Sequence, residues 1–416
     1  MNITKNYFLQ GLLVITALFA ESGCYAQNKK GGSSKNDLNV LIDQNLKEAA
    51  EQYQYFSTQI PADKLPKTLD DKGGLVTSGS DWWCSGFYPG TLLYLHEAKN
   101  NEALYSEALK KLTLLEKEQY NKGTHDLGFM MYCSFGNANR LQAKPAYKDI
   151  LVNSARSLST RFSPVVGCIR SWDKGPNQYI VIIDNMMNLE LLFYATRVTG
   201  DSSYYKIAVS HANTTMKNHF RPDYSSYHVV DYNPQTGGVT LKRTHQGAAD
   251  SSAWARGQGW GLYGYTLMYR ETKDRKYLNQ ANHIAQFILN HPNLPADKVP
   301  YWDFNAPGIP NASRDVSAAA LIASALIELS TYTSGKTSQN YLSIAQTIIR
   351  SLSTPEYRAA KGENGGFLLK KSVGSLPHKS EVDKPLTYAD YYFVEAMVRY
   401  KDLSKNNFKS LNITTY

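Results

Sequence analysis

The chain has 416 residues, of which 42% are hydrophobic and 19% charged, a balance that excludes a disordered polymer and supplies apolar material for a large core. Its formal net charge of +9 suits an anionic ligand, yet no Lys and Arg run of nucleic-acid-binding type accompanies it. Four cysteines in this length exclude a disulfide-built scaffold, and without Cys-x-x-Cys or His-Glu-x-x-His spacing a zinc site has no support.

In chain order, the first element is a targeting segment. Lys5 precedes an apolar run over 8–20 that is too short to span a bilayer and is followed by small residues, so residues 1–26 are expected to be a signal peptide and 27–36 a flexible N-terminal segment. Two processing sites compete. Ser22-Gly23-Cys24 would leave a lipid anchor on Cys24, whereas Cys24-Tyr25-Ala26 before Gln27 would release a soluble form. Glu21 stands where a lipoprotein signal usually has Leu, which favours the soluble form. The expected location is exported and periplasmic, with no transmembrane domain.

The remainder, 37–416, is expected to fold as a single domain. Helix-compatible stretches fall at 37–56, 86–98, 101–119, 127–142, 145–162, 185–198, 201–219, 256–271, 274–291, 315–331, 336–352 and 387–403. Five of them carry Tyr followed by Ala at helical spacing, beginning at Tyr105, Tyr147, Tyr205, Tyr277 and Tyr341. The turns Thr199-Gly200-Asp201 and Thr272-Lys273-Asp274 supply residues that end one helix and cap the next. Six helical hairpins therefore stack, either as an open solenoid or as a closed ring. Closure is favoured, because Gly257, Gly259, Gly261 and Gly264, and the alanines from Ala318 to Ala325, permit tight packing around an axis. The expected fold class is all-α, a closed six-hairpin (α/α)6 barrel with long site loops. A small hairpin built from Asn233–Gly238 and His245–Gly247 is expected over its mouth.

Candidate chemistry concentrates in the loops before the helices. Asp184 follows the apolar run Tyr179–Ile183 and precedes Asn185-Met186-Met187. It reads as a helix N-cap, as a desolvated carboxyl of raised proton affinity, or as both. Asp126, before Leu127-Gly128-Phe129, carries the same alternatives. If one end of the ring gathers both, their charges push one proton affinity upward, as acid catalysis on a sugar requires. Trp83, Trp172 and Trp260 are core residues or sugar-stacking platforms. Arg256, four residues before Trp260, could grip a carboxylate or make an ordinary ion pair. His228 and Gln246 could orient hydroxyls or be solvated loop residues.

Several blocks occur together in order: Asp81-Trp82-Trp83-Cys84-Ser85-Gly86-Phe87-Tyr88-Pro89-Gly90, His125–Phe129 with Ser134–Asn137, Ile183–Leu189, and Arg256-Gly257-Gln258-Gly259-Trp260-Gly261. This combination, spanning about 37–403, resembles the unsaturated glucuronyl hydrolases of glycoside hydrolase family 88. The resemblance implies the same closed barrel, with Asp184 as acid/base and Asp126 as second essential aspartate. It implies sugar contacts at Trp83, Trp172, His228, Gln246, Arg256 and Trp260, and no metal or organic cofactor. The implied substrates are lyase-generated oligosaccharides ending in an unsaturated uronic acid, from chondroitin, hyaluronan or heparin, with no nucleic acid partner. In that chemistry Asp184 protonates C4 of the enol ether, water adds at C5, and the hemiketal opens to release the neighbouring sugar.

Sulfate recognition is expected in some relatives through a Ser- and Lys-rich segment before the last helix. Ser372, Ser375 and Lys379 lie in the corresponding region with a different spacing, and a solvated loop is the alternative there. Two other functions remain open at this stage. One is an unsaturated rhamnogalacturonyl hydrolase acting on pectin fragments; the other is a non-catalytic sugar-binding barrel.

Overall fold

A computed structural model describes residues 33–405, so the proposed signal peptide with Cys24 and residues 27–32 of the expected flexible segment lie outside the described residues, while 33–36 form the start of the first helix. In chain order the helices are α1 (Ser33–Ser57), α2 (Phe87–Lys99), α3 (Glu102–Leu115), α4 (Asn137–Leu141), α5 (Pro145–Ser159), α6 (Leu189–Thr199), α7 (Ser202–Asn218), α8 (Ala255–Thr272), α9 (Arg275–Asn290), α10 (Val316–Tyr332), α11 (Gly335–Leu352) and α12 (Thr387–Ser404). A π-helical stretch, Gly128–Gly136, leads into α4, and a 3-10 turn, Ile183–Asn188, leads into α6. These twelve correspond to the twelve expected stretches. The two expected at 127–142 and 185–198 start as π and 3-10 segments, a local irregularity often found at functional sites.

Burial sorts the helices into two rings. In α10 every residue from Val316 to Ser330 is buried, as an inner helix contacted on all sides requires. In α9 the buried residues are Tyr277, Leu278, Gln280, Ala281, Ile284, Ala285 and Ile288, one stripe on an outer helix. The inner ring runs from α2 through the π stretch and α4 to α6, α8, α10 and α12 and returns to α2, the π stretch making the contact with α6; the fold is the closed (α/α)6 barrel. Glycine permits the close approach. A Cβ on Gly259 would lie 2.8 Å from Leu321, and one on Gly264 would lie 2.5 Å from Met186, so α8 seats directly against α10 and the turn before α6.

The repeated tyrosines fall on the outer helices. Tyr277 of α9 donates to Asn213 of α7 at 2.9 Å, and Tyr341 of α11 donates to Asn282 of α9 at 2.8 Å. These two tyrosines thus stitch α9 to α7 and α11 to α9. The capping turns also form, with Asp201 accepting from the Ser203 N–H at 2.8 Å and Asp274 from the Lys276 N–H at 3.1 Å.

Away from the Arg256 end of α8, buried charges tie the ring across its axis. Glu395 of α12 accepts hydrogen bonds from Tyr94 of α2 at 3.1 Å, Tyr263 of α8 at 3.1 Å and Ser324 of α10 at 2.5 Å. Arg270 of α8 contacts Glu190 of α6 and Glu328 of α10, while Arg399 of α12 contacts Glu328 at 3.1 Å. Arg270 lies 14 residues beyond Arg256 on α8, about 21 Å along the axis. One end of the barrel is therefore locked by ion pairs, leaving the other for the long loops.

Among the described residues strands occur only in those loops. They are β1 (Leu65–Leu69), β2 (Leu75–Ser78), β3 (Phe162–Ser163), β4 (Cys168–Ile169), β5 (Tyr179–Ile182), β6 (Val229–Tyr232), β7 (Val239–Arg243), β8 (Ser372–Ser375) and β9 (Ser380–Lys384). The expected hairpin around Asn233–Gly238 is β6–β7, and β5 joins it as a third strand. His245–Gly247 lies after β7, outside the hairpin turn. The strand that precedes Asp184 had no counterpart among the expected elements, which gave Tyr179–Ile183 only as an apolar run. Tyr179–Ile182 is buried throughout, and a short apolar run buried on both faces shows no alternation that identifies a strand. Cys84, Cys133 and Cys168 are free. Among the described residues no helix is long and apolar enough to cross a membrane.

Candidate active site

The N-terminal ends of the inner helices meet at one end of the barrel. Arg256 near the start of α8 pairs with Asp315 before α10 at 2.9 Å and stacks 5.4 Å from the ring of Tyr388, which begins α12. Tyr388 packs on Trp83 before α2 at 4.9 Å, and Trp83 on Phe129 at 5.5 Å. Phe129 in turn contacts Trp260 at 5.1 Å. The starts of α2, α8, α10 and α12, with the π and 3-10 segments that lead into α4 and α6, surround one mouth, and helix starts present positive dipole ends that favour an anionic ligand.

Strand register delivers Asp184. In the antiparallel β5–β6 pair Ile182 faces Val229, and the Ile183 N–H donates to the His228 carbonyl at 3.0 Å. Asp184 and His228 thus emerge at the same end of the sheet. The His228 Nε2 lies 3.6 Å from Asp184 Oδ1. Its Nδ1 accepts from the backbone N–H groups of His245 at 3.3 Å and Gln246 at 3.1 Å, which fixes the ring proton on Nε2, toward the carboxyl. Burial holds His228 well below the usual histidine range, so the ring is neutral. It stacks on Trp254 at 4.5 Å.

Asp184 does not cap a helix. The residue at the cap position is Ile182, which makes no side-chain cap bond, and the buried Asp184 Oδ1 has no hydrogen-bond partner. Burial raises its proton affinity, opposed by Arg256 and assisted by the charge of Asp126, pushing its pKa up to about 7. A carboxyl so placed is protonated in weakly acidic solution and poised to give that proton away.

Asp126 likewise caps nothing. The π-helical segment begins after Leu127 without a side-chain cap, and Asp126 Oδ2 instead accepts from the Thr124 hydroxyl at 3.3 Å. His125 Nε2 is 3.3 Å from its Oδ1, and burial lowers the pKa of His125 to about 3, leaving that ring neutral too. Burial pushes Asp126 up to about 7, with Thr124 and Asn188 pulling the other way. Asn188 joins the two aspartate segments. It sits in the turn that carries Asp184, and its side-chain oxygen accepts from the Phe129 N–H at 3.0 Å. Gly128 allows this approach, since a Cβ there would lie 2.4 Å from Asn188 Cα. The two carboxyls therefore face one space. Of the two expected causes of the raised affinities, burial is the larger and repulsion between the pair is secondary, because the low-polarity walls act on each group alone.

The other candidates divide. Trp260 is 1% exposed, so its ring is mostly wall, while its N–H has no hydrogen-bond partner and lowers the proton affinity of Asp184. Trp83 and Trp172 are half-buried, and Trp172 packs edge-on against His245 at 4.9 Å. Gln246 donates to the Gly374 carbonyl at 2.8 Å. Arg256 is buried, donating to Asp315, to the Val373 carbonyl at 2.6 Å and to the Gly374 carbonyl at 2.7 Å. A free grip on a ligand carboxylate is thus not its arrangement here. It anchors the β8–β9 hairpin over the site and places positive charge near Asp184. On that hairpin Ser372 is fully buried, Ser375 is hydrogen-bonded to His378 Nδ1 at 2.7 Å, and Lys379 is exposed with φ of 51°.

Sequence reasoning did not single out Thr124, Asn188, Trp254 or Asp315. Asn188 had a signal, standing one turn after Asp184. Asp315 had none beyond its cap pattern with Ser317, because its partner Arg256 lies 59 residues away. Among the described residues no group of three or more His, Cys, Asp or Glu is disposed to hold a metal ion.

No family model matches the chain. An unsaturated glucuronyl hydrolase of Formosa agariphila is 43% identical over 398 residues, covering 94% of this chain and 98% of the relative. An unsaturated chondroitin disaccharide hydrolase of Streptococcus pneumoniae is 31% identical, covering 89% of this chain and 93% of the relative. The crystal structure of an unsaturated glucuronyl hydrolase specific for heparin superposes with a TM-score of 0.86 at 46% identity, covering 89% of this chain and 100% of that one. With that likeness over nearly its whole length, and two aspartates facing one barrel mouth, the chain belongs to the unsaturated glucuronyl hydrolases.

Proposed function

We propose that this protein releases the terminal 4,5-unsaturated uronic acid from lyase-generated glycosaminoglycan oligosaccharides, with Asp184 as acid and base. The observation that carries this is the Asp184 carboxyl, held near pKa 7 with a bare Oδ1 beside the Asp126 segment. Protonated Asp184 gives its proton to C4 of the enol ether, and positive charge develops at C5, shared with the ring oxygen. The resulting carboxylate takes a proton from the water that adds at C5. The C5 hemiketal opens, breaking its bond to the ring oxygen, and the neighbouring sugar departs once the chain has opened. One carboxyl thus acts twice, unlike the paired carboxyls that act across an ordinary glycosidic bond.

Asp126 holds substrate hydroxyls and, when ionised, disfavours ionisation of Asp184. His228 supplies a neutral N–H to orient substrate or water beside Asp184. Trp83 and Trp172 supply partly open rings for the sugar, and Trp260 lends its N–H. Helix starts and Arg256 favour the uronate through their positive field. The likeness to a heparin-specific relative supports heparin fragments as first substrates, with chondroitin fragments next. An exported, periplasmic location suits an enzyme that consumes lyase products, and the sequence before residue 33 supports it.

The test is the loss of absorbance of the conjugated double bond in a panel of unsaturated disaccharides. Decay with glycosaminoglycan fragments is expected. A flat trace with every fragment would identify a sugar-binding barrel, and decay with pectin fragments alone would identify a rhamnogalacturonyl hydrolase.

A further inference from the structure

One wall of the site carries charge that the proposed chemistry does not use. A cavity of about 510 Å3 runs from Asp126 and Trp172 to Lys174, Arg243 and His245. Arg243 is held by Asp231 on the neighbouring strand, through Nε at 2.8 Å and Nη2 at 3.3 Å. Its Nη1 makes no hydrogen bond among the described residues. A carboxylate that grips one edge of a guanidinium fixes its plane and leaves the opposite donors pre-aimed at an anion. Lys174 is exposed and makes no ion pair or hydrogen bond among the described residues. The neighbouring acid, Asp173, is already bound by Arg161 and Arg170, each at 3.0 Å. Four cations thus stand against two carboxylates on this wall, an excess of two positive charges before Asp126 is reached.

We infer that Lys174 and Arg243 form an anion seat for a sulfate group on the sugar next to the unsaturated uronate. This rests on the proposed hydrolase activity and adds a preference among its substrates. The Ser- and Lys-rich segment does not offer an equivalent seat, since Ser372 is buried and the Ser375 hydroxyl is engaged by His378. A rigid guanidinium beside a mobile ammonium suits a tetrahedral sulfate, whose oxygens accept from several directions.

The experiment compares kcat/KM for two unsaturated disaccharides that differ only in sulfation of the second sugar, in wild type, Lys174→Ala and Arg243→Gln. Wild type is expected to favour the sulfated substrate, and each substitution to lower the sulfated-to-unsulfated ratio about ten-fold, the factor of one charged hydrogen bond. The change should lie mainly in KM and shrink as salt is raised. Lys174 sits in an exposed loop, so its variant reports even if Arg243→Gln fails to fold. A wild-type ratio near one, or a ratio unmoved by Lys174→Ala, overturns the inference while leaving the hydrolase intact. Equal loss on both substrates assigns the wall to the uronate carboxylate and also overturns it. A wild type inert on every fragment refutes the hydrolase itself.

Discussion

Replacing Asp184 by Asn tests the site through two independent readouts. With a pKa of about 7, roughly nine in ten Asp184 carboxyls hold their proton at pH 6, against fewer than about one in a hundred at the ordinary carboxyl value. Asn keeps the shape and removes both proton donation and the later base. Each such role contributes about 10²–10⁴-fold, so kcat should fall by at least about a thousand-fold while disaccharide binding persists. The same substitution moves stability in a pH-dependent way. The folded state holds this proton up to about pH 7, whereas the unfolded chain releases it near 3.8. Wild-type stability from this group is therefore full below pH 3.8 and lost as pH rises through 7. Asn has no proton to lose, so relative to wild type the variant gains stability across that window, by up to a few kcal/mol. Absorbance decay of the unsaturated disaccharide and thermal unfolding at pH 5 and pH 8 measure the two effects. Turnover above about 1% of wild type, or a stability difference identical at both pH values, would refute a buried, protonated Asp184.

Two further substitutions probe how the pair is held. Gly128→Ala would drive a Cβ to 2.4 Å from Asn188 Cα, so it should cost about 1–3 kcal/mol of stability and lower kcat more than it raises KM, measured by denaturant unfolding and steady-state kinetics. Arg256→Lys keeps the charge but forfeits the fork that binds Asp315, Val373 and Gly374. It should destabilise the fold by about 3 kcal/mol and loosen the β8–β9 hairpin, read as faster amide exchange at Val373 and Gly374.

The sequence by itself determined the barrel. Apolar spacing marks the twelve helices, Asp201 and Asp274 cap where expected, and the Gly- and Ala-rich stretches mark the inner ring. These features are local, written within a few residues of where they act. The blocks around Trp83, Asp126, Asp184 and Arg256 were legible as a group for the same reason. Only the tertiary structure decided what those residues do. Asp184 and Asp126 follow the pattern of helix caps, yet both leave the cap role unfilled, because a strand register and an Asn188 contact turn them toward a common space. For Arg256 the sequence left a ligand grip and an ion pair open, and the fold commits it to Asp315 and a distant hairpin. The proton affinity of a carboxyl depends on how much water and which charges surround it, and that surrounding is assembled from segments such as Thr124, Asn188 and His228 that chain order keeps far apart. Helix periodicity is a property of neighbours in sequence; desolvation is a property of neighbours in space.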